Sequence, residues 1–176
     1  MPKLKSSRKP KTRYSAYAAM SIDGRISLDS KKLPDWTSKE DWKFFQTALK
    51  KTDAVVSGHA TYNAAKKYMD RRVSYVFTSK TNKPRSRGSV TFVNPKKSDL
   101  KKMFGGYKNV AIVGGAGVYQ TMLDRGLFDD LYLTIEPLIF GRGRELFSGG
   151  KKNTSLKLKS VKKLNKTGTL LLHYTK

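Results

Sequence analysis

The sequence contains no cysteine and only two histidines, His59 and His173, in 176 residues. Without cysteine there can be no disulfide and no thiolate-bound metal, and this composition fits a reducing cytoplasm. Two histidines so far apart in the chain do not indicate a zinc site. The scarcity of metal ligands therefore predicts a protein without a metal centre.

Long apolar runs are also missing. No segment approaches the roughly 18 consecutive apolar residues that a membrane-spanning helix needs, and no apolar stretch follows the basic N-terminus as it would in a secretory signal. Hydrophobic residues still make up 38% of the chain, which exceeds the range typical of disordered proteins. We expect a cytoplasmic globular domain without membrane contact, and the sequence leaves open whether it is a monomer or a homodimer.

Acidic residues are scarce. The 13 Asp and Glu face 37 Lys and Arg, so the formal net charge is +24. Such a charge can indicate nucleic-acid binding. The lysines are spread along the whole chain, however, in pairs such as Lys31-Lys32 and Lys162-Lys163, and no nucleic-acid motif accompanies them. We therefore favour solvated lysines over a nucleic-acid partner. In either case, the positive field attracts small anionic ligands.

Strand-like and helix-like segments alternate along the chain. Residues 1–13 are polar and basic and predict a flexible tail. Apolar runs predict strands at residues 14–20, 53–57, 73–77, 89–93, 109–113 and 131–136, with a final hairpin from residues 156–161 and 170–174. Helices are predicted at residues 38–51, 61–67, 98–104 and 118–124. The alternation predicts one α/β domain at residues 14–176, with a mostly parallel central sheet, helices on both faces and an antiparallel C-terminal edge.

Three predicted strands end in residues suited to phosphate groups. These ends are Gly58-His59-Ala60-Thr61, Thr78-Ser79-Lys80 and Gly114-Gly115-Ala116-Gly117. A glycine lets a ligand approach the backbone, and a helix N-terminus offers free N–H groups to an anion. Because the carboxyl ends of parallel strands meet at one edge of the sheet, the three segments predict a single anion-binding crevice.

Several segments resemble the dihydrofolate reductase superfamily, which includes the pyrimidine reductases of riboflavin synthesis. Residues 18–26 are similar to the family's first strand and the start of its mobile loop, and residues 114–119 to its paired-glycine motif. Trp36 resembles the loop tryptophan, and Asp41 the folate-binding carboxylate on the first helix. Residues 131–134 match the strand whose threonine supports the pterin. The resemblance implies a three-layer reductase fold and NADPH as the cofactor.

The resemblance also implies roles for individual residues. Asp41 would accept the 2-amino group and ring N3–H of a pterin together, as one carboxylate can, and Trp36 and Thr134 would complete the catalytic group. Phe45, Arg72 and Ala18 would contact the substrate, with Arg72 on the glutamate tail of folate. NADPH would contact Ala19, Ile26, Gly58, His59, Thr61, Thr78, Ser79, Lys80, Gly114, Gly115, Ala116, Gly117, Val118 and Tyr119.

Other readings of these residues stay open. Without the resemblance, Asp41 is better explained as an acid that stabilises a helix N-terminus. Arg72 is equally well explained as a solvated loop arginine. His59 stands where the family usually carries a phosphate-binding arginine, which weakens the expected charge contact with NADPH. Trp42 is assigned to the hydrophobic core, because that is the usual place for an aromatic residue in a helical stripe.

The branch of the superfamily is ambiguous. Residues 37–41, 126–131 and 137–143 look like the riboflavin branch. That branch usually carries His-x-Leu-Arg in the first helix, where this chain has Gln46-Thr47-Ala48-Leu49, and its Asp-Asp-Pro-x-Leu-Thr segment is absent. We therefore expect NADPH-dependent reduction of 7,8-dihydrofolate. The alternatives are the riboflavin-pathway reductase of 5-amino-6-(5-phosphoribosylamino)uracil or its diaminopyrimidine counterpart, and a basic nucleic-acid-binding protein on an inherited reductase fold.

Overall fold

The computed structural model describes residues 11–28, 32–150 and 153–176. Its strands are β1 (Arg13–Ser21), β2 (Arg25–Ser27), β3 (Ala54–Gly58), β4 (Ser74–Phe77), β5 (Arg85–Arg87), β6 (Val90–Val93), β7 (Asn109–Ile112), β8 (Asp130–Glu136), β9 (Arg144–Glu145), β10 (Lys157–Lys163) and β11 (Leu170–Thr175). Its helices are α1 (Lys39–Leu49), α2 (His59–Met69), α3 (Leu100–Phe104) and α4 (Ala116–Asp124).

Nine of the strands form one sheet in the order β10-β11-β8-β1-β7-β3-β4-β6-β5. Six consecutive strands of this sheet, β8-β1-β7-β3-β4-β6, run parallel to one another. The hairpin of β10 and β11 is antiparallel and joins the sheet at β8, and β5 is antiparallel to β6 at the other edge. The predicted α/β fold, with a mostly parallel sheet and an antiparallel C-terminal edge, is confirmed.

Apolar residues of the central strands alternate between two cores. On β3, Ala54 and Val56 belong to one core and Val55 to the other. The first core includes Phe104 of α3 and Met122 of α4, whereas the second includes side chains of α1 and α2. A parallel sheet must be covered on both faces because its helical crossovers pack against it. The helices therefore form an outer layer on each side of the sheet.

The N-terminal boundary differs from the prediction. Residues 1–10, the greater part of the predicted tail, lie outside the described residues. Thr12 is buried and its hydroxyl donates to the carbonyl oxygens of Phe104 and Tyr107, at 3.2 and 2.8 Å. Arg13 begins β1 and donates to both carboxylate oxygens of buried Asp130, at 2.5 and 2.8 Å. The sheet therefore begins one residue earlier than its apolar pattern suggests, because a bidentate ion pair holds Arg13 in place.

Within the described residues, no helix is long and apolar enough to cross a membrane.

Candidate functional site

A cleft of about 600 Å³ opens along the carboxyl ends of the parallel strands. Gly58 at the end of β3, Thr78 after β4 and Gly114 after β7 line it together with Ala18 and Thr134 from β1 and β8. Ligands of open α/β sheets bind at this edge because the strand ends and the following helix N-termini converge there. The three predicted phosphate-binding segments thus meet in one place.

Most of the predicted site residues line this cleft. They are Asp41, Thr134, Phe45, Arg72, Ala18, Ala19, Ile26, Gly58, His59, Thr61, Thr78, Ser79, Gly114, Gly115, Ala116, Gly117, Val118 and Tyr119. Trp36 does not: its ring packs edge-on against Phe140, with 5.1 Å between ring centroids. Lys80 lines a smaller neighbouring cavity instead. The fold therefore gathers the predicted set around a single opening, apart from one tryptophan and one lysine.

The glycines at two strand ends allow the backbone itself to form one wall of the cleft. The Gly58 N–H donates to the Gly114 carbonyl at 2.7 Å, and the Gly114–Gly115 peptide is cis. Gly114 has φ +102°, and a Cβ there would lie 3.0 Å from the Tyr119 hydroxyl. That hydroxyl in turn donates to the Tyr17 carbonyl at 2.6 Å. A side chain at Gly114 would therefore be strained in its backbone conformation and tightly packed against Tyr119.

Two helices begin at this wall without a side-chain cap. Gly58 precedes α2 and Gly115 precedes α4, and neither helix N-terminus receives a side-chain hydrogen bond. The first N–H groups of a helix have no partner within the helix and carry partial positive charge. These two N-termini are therefore suited to the phosphate groups of a dinucleotide.

Asp41 is the buried carboxyl group of the cleft, with only 9% of the residue exposed. Thr134 donates its hydroxyl to one carboxylate oxygen of Asp41 at 2.6 Å. Burial raises the pKa of Asp41, and the negative charge of Glu136 raises it further, while hydrogen bonds from Thr134 and Thr37 act in the opposite direction. A carboxylate without a cation at this depth is costly, and neighbouring N–H donors of a bound heterocycle would offset that cost.

Aromatic side chains form the wall of the cleft beside Asp41. Trp42 is 39% exposed and lines the cleft, so its assignment to the core is wrong. Its ring lies 5.9 Å from that of Tyr68 on α2 and 6.1 Å from that of Phe45, centroid to centroid. The stripe of Trp42, Phe45 and Leu49 buries Leu49 only, because α1 and α2 face each other across the opening. Tyr68 was not predicted, and no pattern in the sequence distinguishes it from a surface residue.

Arg72 lies between the C-terminal ends of α1 and α2. It is partly buried, and one guanidinium nitrogen donates to the Leu49 carbonyl at 3.2 Å. This bond orients the side chain without neutralising its charge. An arginine held in this way can bind a carboxylate or phosphate at the far end of a substrate.

A second cavity adjoins the cleft and shares His59 and Thr78 with it. Lys80, Arg85 and Arg87 also line it. The two arginines lie on β5 and were missed, because Lys83-Pro84-Arg85-Ser86-Arg87 has the composition of a loop. Three cations around one cavity suit a phosphate monoester.

The turn after β1 is tied to the loop after β8. Asp23 accepts the Ser21 hydroxyl at 2.5 Å and the backbone N–H groups of Phe140 and Gly141 at 3.1 and 2.8 Å. These bonds, led by that from Ser21, lower the pKa of Asp23 to about 2. The turn positions β2, whose Ile26 lines the cleft.

No group of three or more metal-ligating side chains occurs in the described part of the chain.

Solved structures with the same architecture include two reductase-related proteins. A pyrimidine reductase-like protein from Corynebacterium diphtheriae is 17% identical, with a TM-score of 0.75 over 93% of this chain and 91% of that one. Dihydrofolate reductase from Enterococcus faecalis is 22% identical, with a TM-score of 0.66 over 94% of this chain and 97% of that one. These likenesses confirm the dihydrofolate-reductase-like fold.

Sequence comparison points to one family within that fold. An uncharacterized protein of Bacillus subtilis (strain 168), YwjB, is 28% identical over 91% of this chain and 95% of its own length. Residues 75–170, more than half of the chain, match the model of the RibD C-terminal domain. This protein therefore belongs to the RibD C-terminal domain family.

Proposed function

We propose that the protein is an NADPH-dependent reductase of a small pyrimidine-type heterocycle. The observation that carries this proposal is the presence, in one cleft, of a buried acceptor carboxyl at Asp41 and a backbone wall at Gly58 and Gly114. The carboxyl suits the N–H edge of a ring, and the wall suits the cofactor that supplies a hydride. Family membership supports the same reaction class.

The chain's own residues fit NADPH in three respects. The two uncapped helix N-termini suit its pyrophosphate. A Cβ at Gly115 would meet only the Thr61 hydroxyl, at 3.8 Å, so the absence of a side chain leaves room for a flat ring against the backbone. Lys80, Arg85 and Arg87 suit the 2′-phosphate that distinguishes NADPH from NADH. The bound cofactor would supply the hydride, while these residues bind and orient it.

Asp41 and Thr134 are proposed to hold the substrate. A 2-amino group and an adjacent ring N–H can both donate to one carboxylate, and the Thr134 hydroxyl fixes the orientation of that carboxylate. This edge occurs in dihydrofolate and in the diaminopyrimidine substrate of riboflavin synthesis. With dihydrofolate, Asp41 would anchor the pterin while water delivers a proton to N5.

Family membership supports one candidate substrate, the ribosylaminopyrimidine phosphate, and the lining of the cleft supports the other, dihydrofolate. The match to the RibD C-terminal domain favours the riboflavin-pathway ribosylaminopyrimidine phosphate over dihydrofolate, which the sequence motifs alone led us to expect. The aromatic wall of Trp42, Phe45 and Tyr68 and the nearby Arg72 would suit the benzoyl-glutamate part of dihydrofolate. We therefore place the ribosylaminopyrimidine phosphate first and retain dihydrofolate as the second candidate.

Oxidation of NADPH with each substrate, measured side by side by the loss of absorbance at the nicotinamide band, tests the assignment. We expect turnover of the ribosylaminopyrimidine phosphate at a kcat/KM at least about tenfold above that for dihydrofolate, roughly 1.4 kcal/mol in transition-state stabilisation. The reverse preference would assign the protein to dihydrofolate. No turnover of either substrate would contradict the proposed substrate class.

The cofactor preference is a separate prediction. We expect NADPH to bind at least about tenfold more tightly than NADH, roughly 1.4 kcal/mol, because three cations line the second cavity. Arg85→Ala should weaken NADPH binding and leave NADH binding unchanged, as measured by titration calorimetry. Arg71→Ala is the matched control, since Arg71 is exposed and lines neither cavity. Equal affinity of the wild type for both nucleotides would contradict the assignment.

A further inference from the structure

We propose that Glu136 is a positioning residue, a buried carboxylate behind the cleft that fixes the start of α1 and thereby holds Asp41 toward the substrate. The role of Asp41 in this inference rests on the proposed function. Glu136 is only 3% exposed and does not line the cleft. Neither the sequence motifs nor the cleft geometry assigns it a task.

Hydrogen bonds connect Glu136 to Asp41 through one residue. One carboxylate oxygen of Glu136 accepts the backbone N–H of Ser38 at 2.7 Å. Ser38 is the N-cap of α1, and its hydroxyl accepts the backbone N–H of Asp41 at 3.3 Å. The N-cap residue of α1 is therefore itself held by β8, through a partly buried hydrogen bond that ties the first turn of α1 to the sheet.

The other oxygen of Glu136 is bound from the opposite side. The Thr169 hydroxyl donates to it at 2.6 Å, and Thr169 is fully buried. Asn165 donates to the Thr169 hydroxyl at 2.9 Å and accepts the backbone N–H groups of Gly168 and Thr169 at 3.1 Å each. The turn between β10 and β11 thus clamps Glu136, and both of its oxygens are occupied.

Burial raises the pKa of Asp41, and the arrangement also brings the charge of Glu136 near enough to Asp41 to raise that pKa further. Thr134 and Glu136 are two residues apart on β8, so their side chains emerge on the same face, and Thr134 binds Asp41 directly. Other charged or titratable side chains also line the cleft, namely Lys32, His59, Arg72, Lys96 and Arg144. Glu40 on α1 accepts a hydrogen bond from the side-chain amide of Asn165 at 3.4 Å. Among the described ion pairs, none includes Asp41 or Glu136.

If Glu136 only linked Ser38 to Thr169 by hydrogen bonds, its negative charge would not be needed. A glutamine at position 136 can accept the Ser38 N–H and donate to the second lone pair of the Thr169 hydroxyl, which already accepts from Asn165, although the Thr169 O–H then loses its acceptor. Retaining a carboxylate instead disfavours the charged form of Asp41, because like charges repel in a buried environment. We infer that Glu136 contributes to the basicity of Asp41 as well as to its orientation.

The test compares two variants that separate charge from hydrogen bonding. Glu136→Gln removes the charge, keeps the bond from Ser38 and reverses the bond with Thr169, whereas Thr169→Val removes that second bond and keeps the charge. The pKa of Asp41 is measured by carbon-13 NMR of the labelled aspartates, with Asp41→Asn used to assign its signal. We expect Glu136→Gln to lower that pKa by about half a unit or more, and Thr169→Val to shift it less than half as far.

In Glu136→Gln, the acid limb of the profile of kcat/KM against pH should also move to lower pH, by about as much as the pKa of Asp41 falls. An unchanged Asp41 pKa in Glu136→Gln, or an equal shift in Thr169→Val, would overturn the inference. Thermal unfolding of both variants checks that they fold. Because the NMR titration needs no substrate, failure of the proposed reaction would appear only in the assays and would leave this measurement interpretable.

Discussion

Asp41→Asn is expected to lower kcat/KM at neutral pH by about a hundredfold, roughly 2.7 kcal/mol of transition-state stabilisation. The amide keeps the size of the side chain and can still accept the Thr134 hydroxyl. It loses the negative charge that offsets a proton arriving on the substrate ring, and it cannot accept two N–H donors. If dihydrofolate is the substrate, part of the loss should be recovered at low pH, where more substrate is already protonated. Steady-state kinetics across the pH range measure both effects.

The same substitution should make the protein more stable at neutral pH. Burial raises the pKa of Asp41, so the folded state holds this proton to a higher pH than the unfolded chain does. Ionised Asp41 therefore reduces the free energy of unfolding above its unfolded pKa of about 3.9. Asp41→Asn removes that penalty. We expect a higher Tm than wild type at pH 7, with the difference disappearing as the pH falls below about 4.

The control for Asp41→Asn is Asp35→Asn. Asp35 is exposed and does not line the cleft, so this variant should match the wild type in both kinetics and thermal unfolding. Wild-type activity in Asp41→Asn would show that the carboxylate does not bind the substrate. A lower Tm at pH 7 would show that burial of its charge is compensated in the folded protein.

Gly114→Ala is expected to destabilise the protein by about 3 kcal/mol. An alanine at φ +102° is strained, at a cost of roughly 1–2 kcal/mol or more. Its Cβ would also lie 3.0 Å from the Tyr119 hydroxyl, and overpacking a buried site costs about 1–3 kcal/mol. Denaturant unfolding measures the free energy of unfolding directly.

Gly115→Ala is the matched comparison. Gly115 has φ −76°, and a Cβ there would meet only the Thr61 hydroxyl, at 3.8 Å. The free energy of unfolding should therefore stay within about 1 kcal/mol of wild type. The added methyl group occupies the wall proposed to contact the cofactor, so NADPH binding should weaken by about tenfold, roughly 1.4 kcal/mol. Equal destabilisation by the two substitutions would contradict the steric difference between these neighbouring glycines.

Much of the fold can be read from local patterns. The runs Asp53–Ser57 and Asn109–Val113 have continuous apolar stretches at residues 54–56 and 110–113, as expected of strands covered on both faces, and they form β3 and β7 within one residue. The strands β2, β5 and β9 could not be predicted in this way. They contain two or three residues each, mostly arginine, serine or glutamate, so they carry no hydrophobic period and depend on pairing partners.

The paired glycines could be identified from the sequence because they follow an apolar strand and open a helix, whereas Asp41 was singled out through the resemblance to the reductase superfamily. Gly114 adopts a conformation that residues with side chains rarely adopt, and Asp41 is an acid in the first turn of an amphipathic helix. The position of each on a strand end or a first helical turn follows from the local pattern. The sequence by itself therefore determined the mostly parallel sheet and the edge of that sheet where the cleft opens, and the resemblance singled out Asp41 as the carboxyl group in that cleft.

Only the tertiary structure decided which surface each remaining side chain faces. Trp36 was expected in the site and Trp42 in the core, yet the first packs on Phe140 and the second lines the cleft. Arg85 reaches the cavity of Lys80 through the pairing of β5 with β6. Glu136 meets Ser38 and Thr169 across large separations in the chain. These contacts are not local: they depend on how distant segments pack, and composition and periodicity carry no record of that packing.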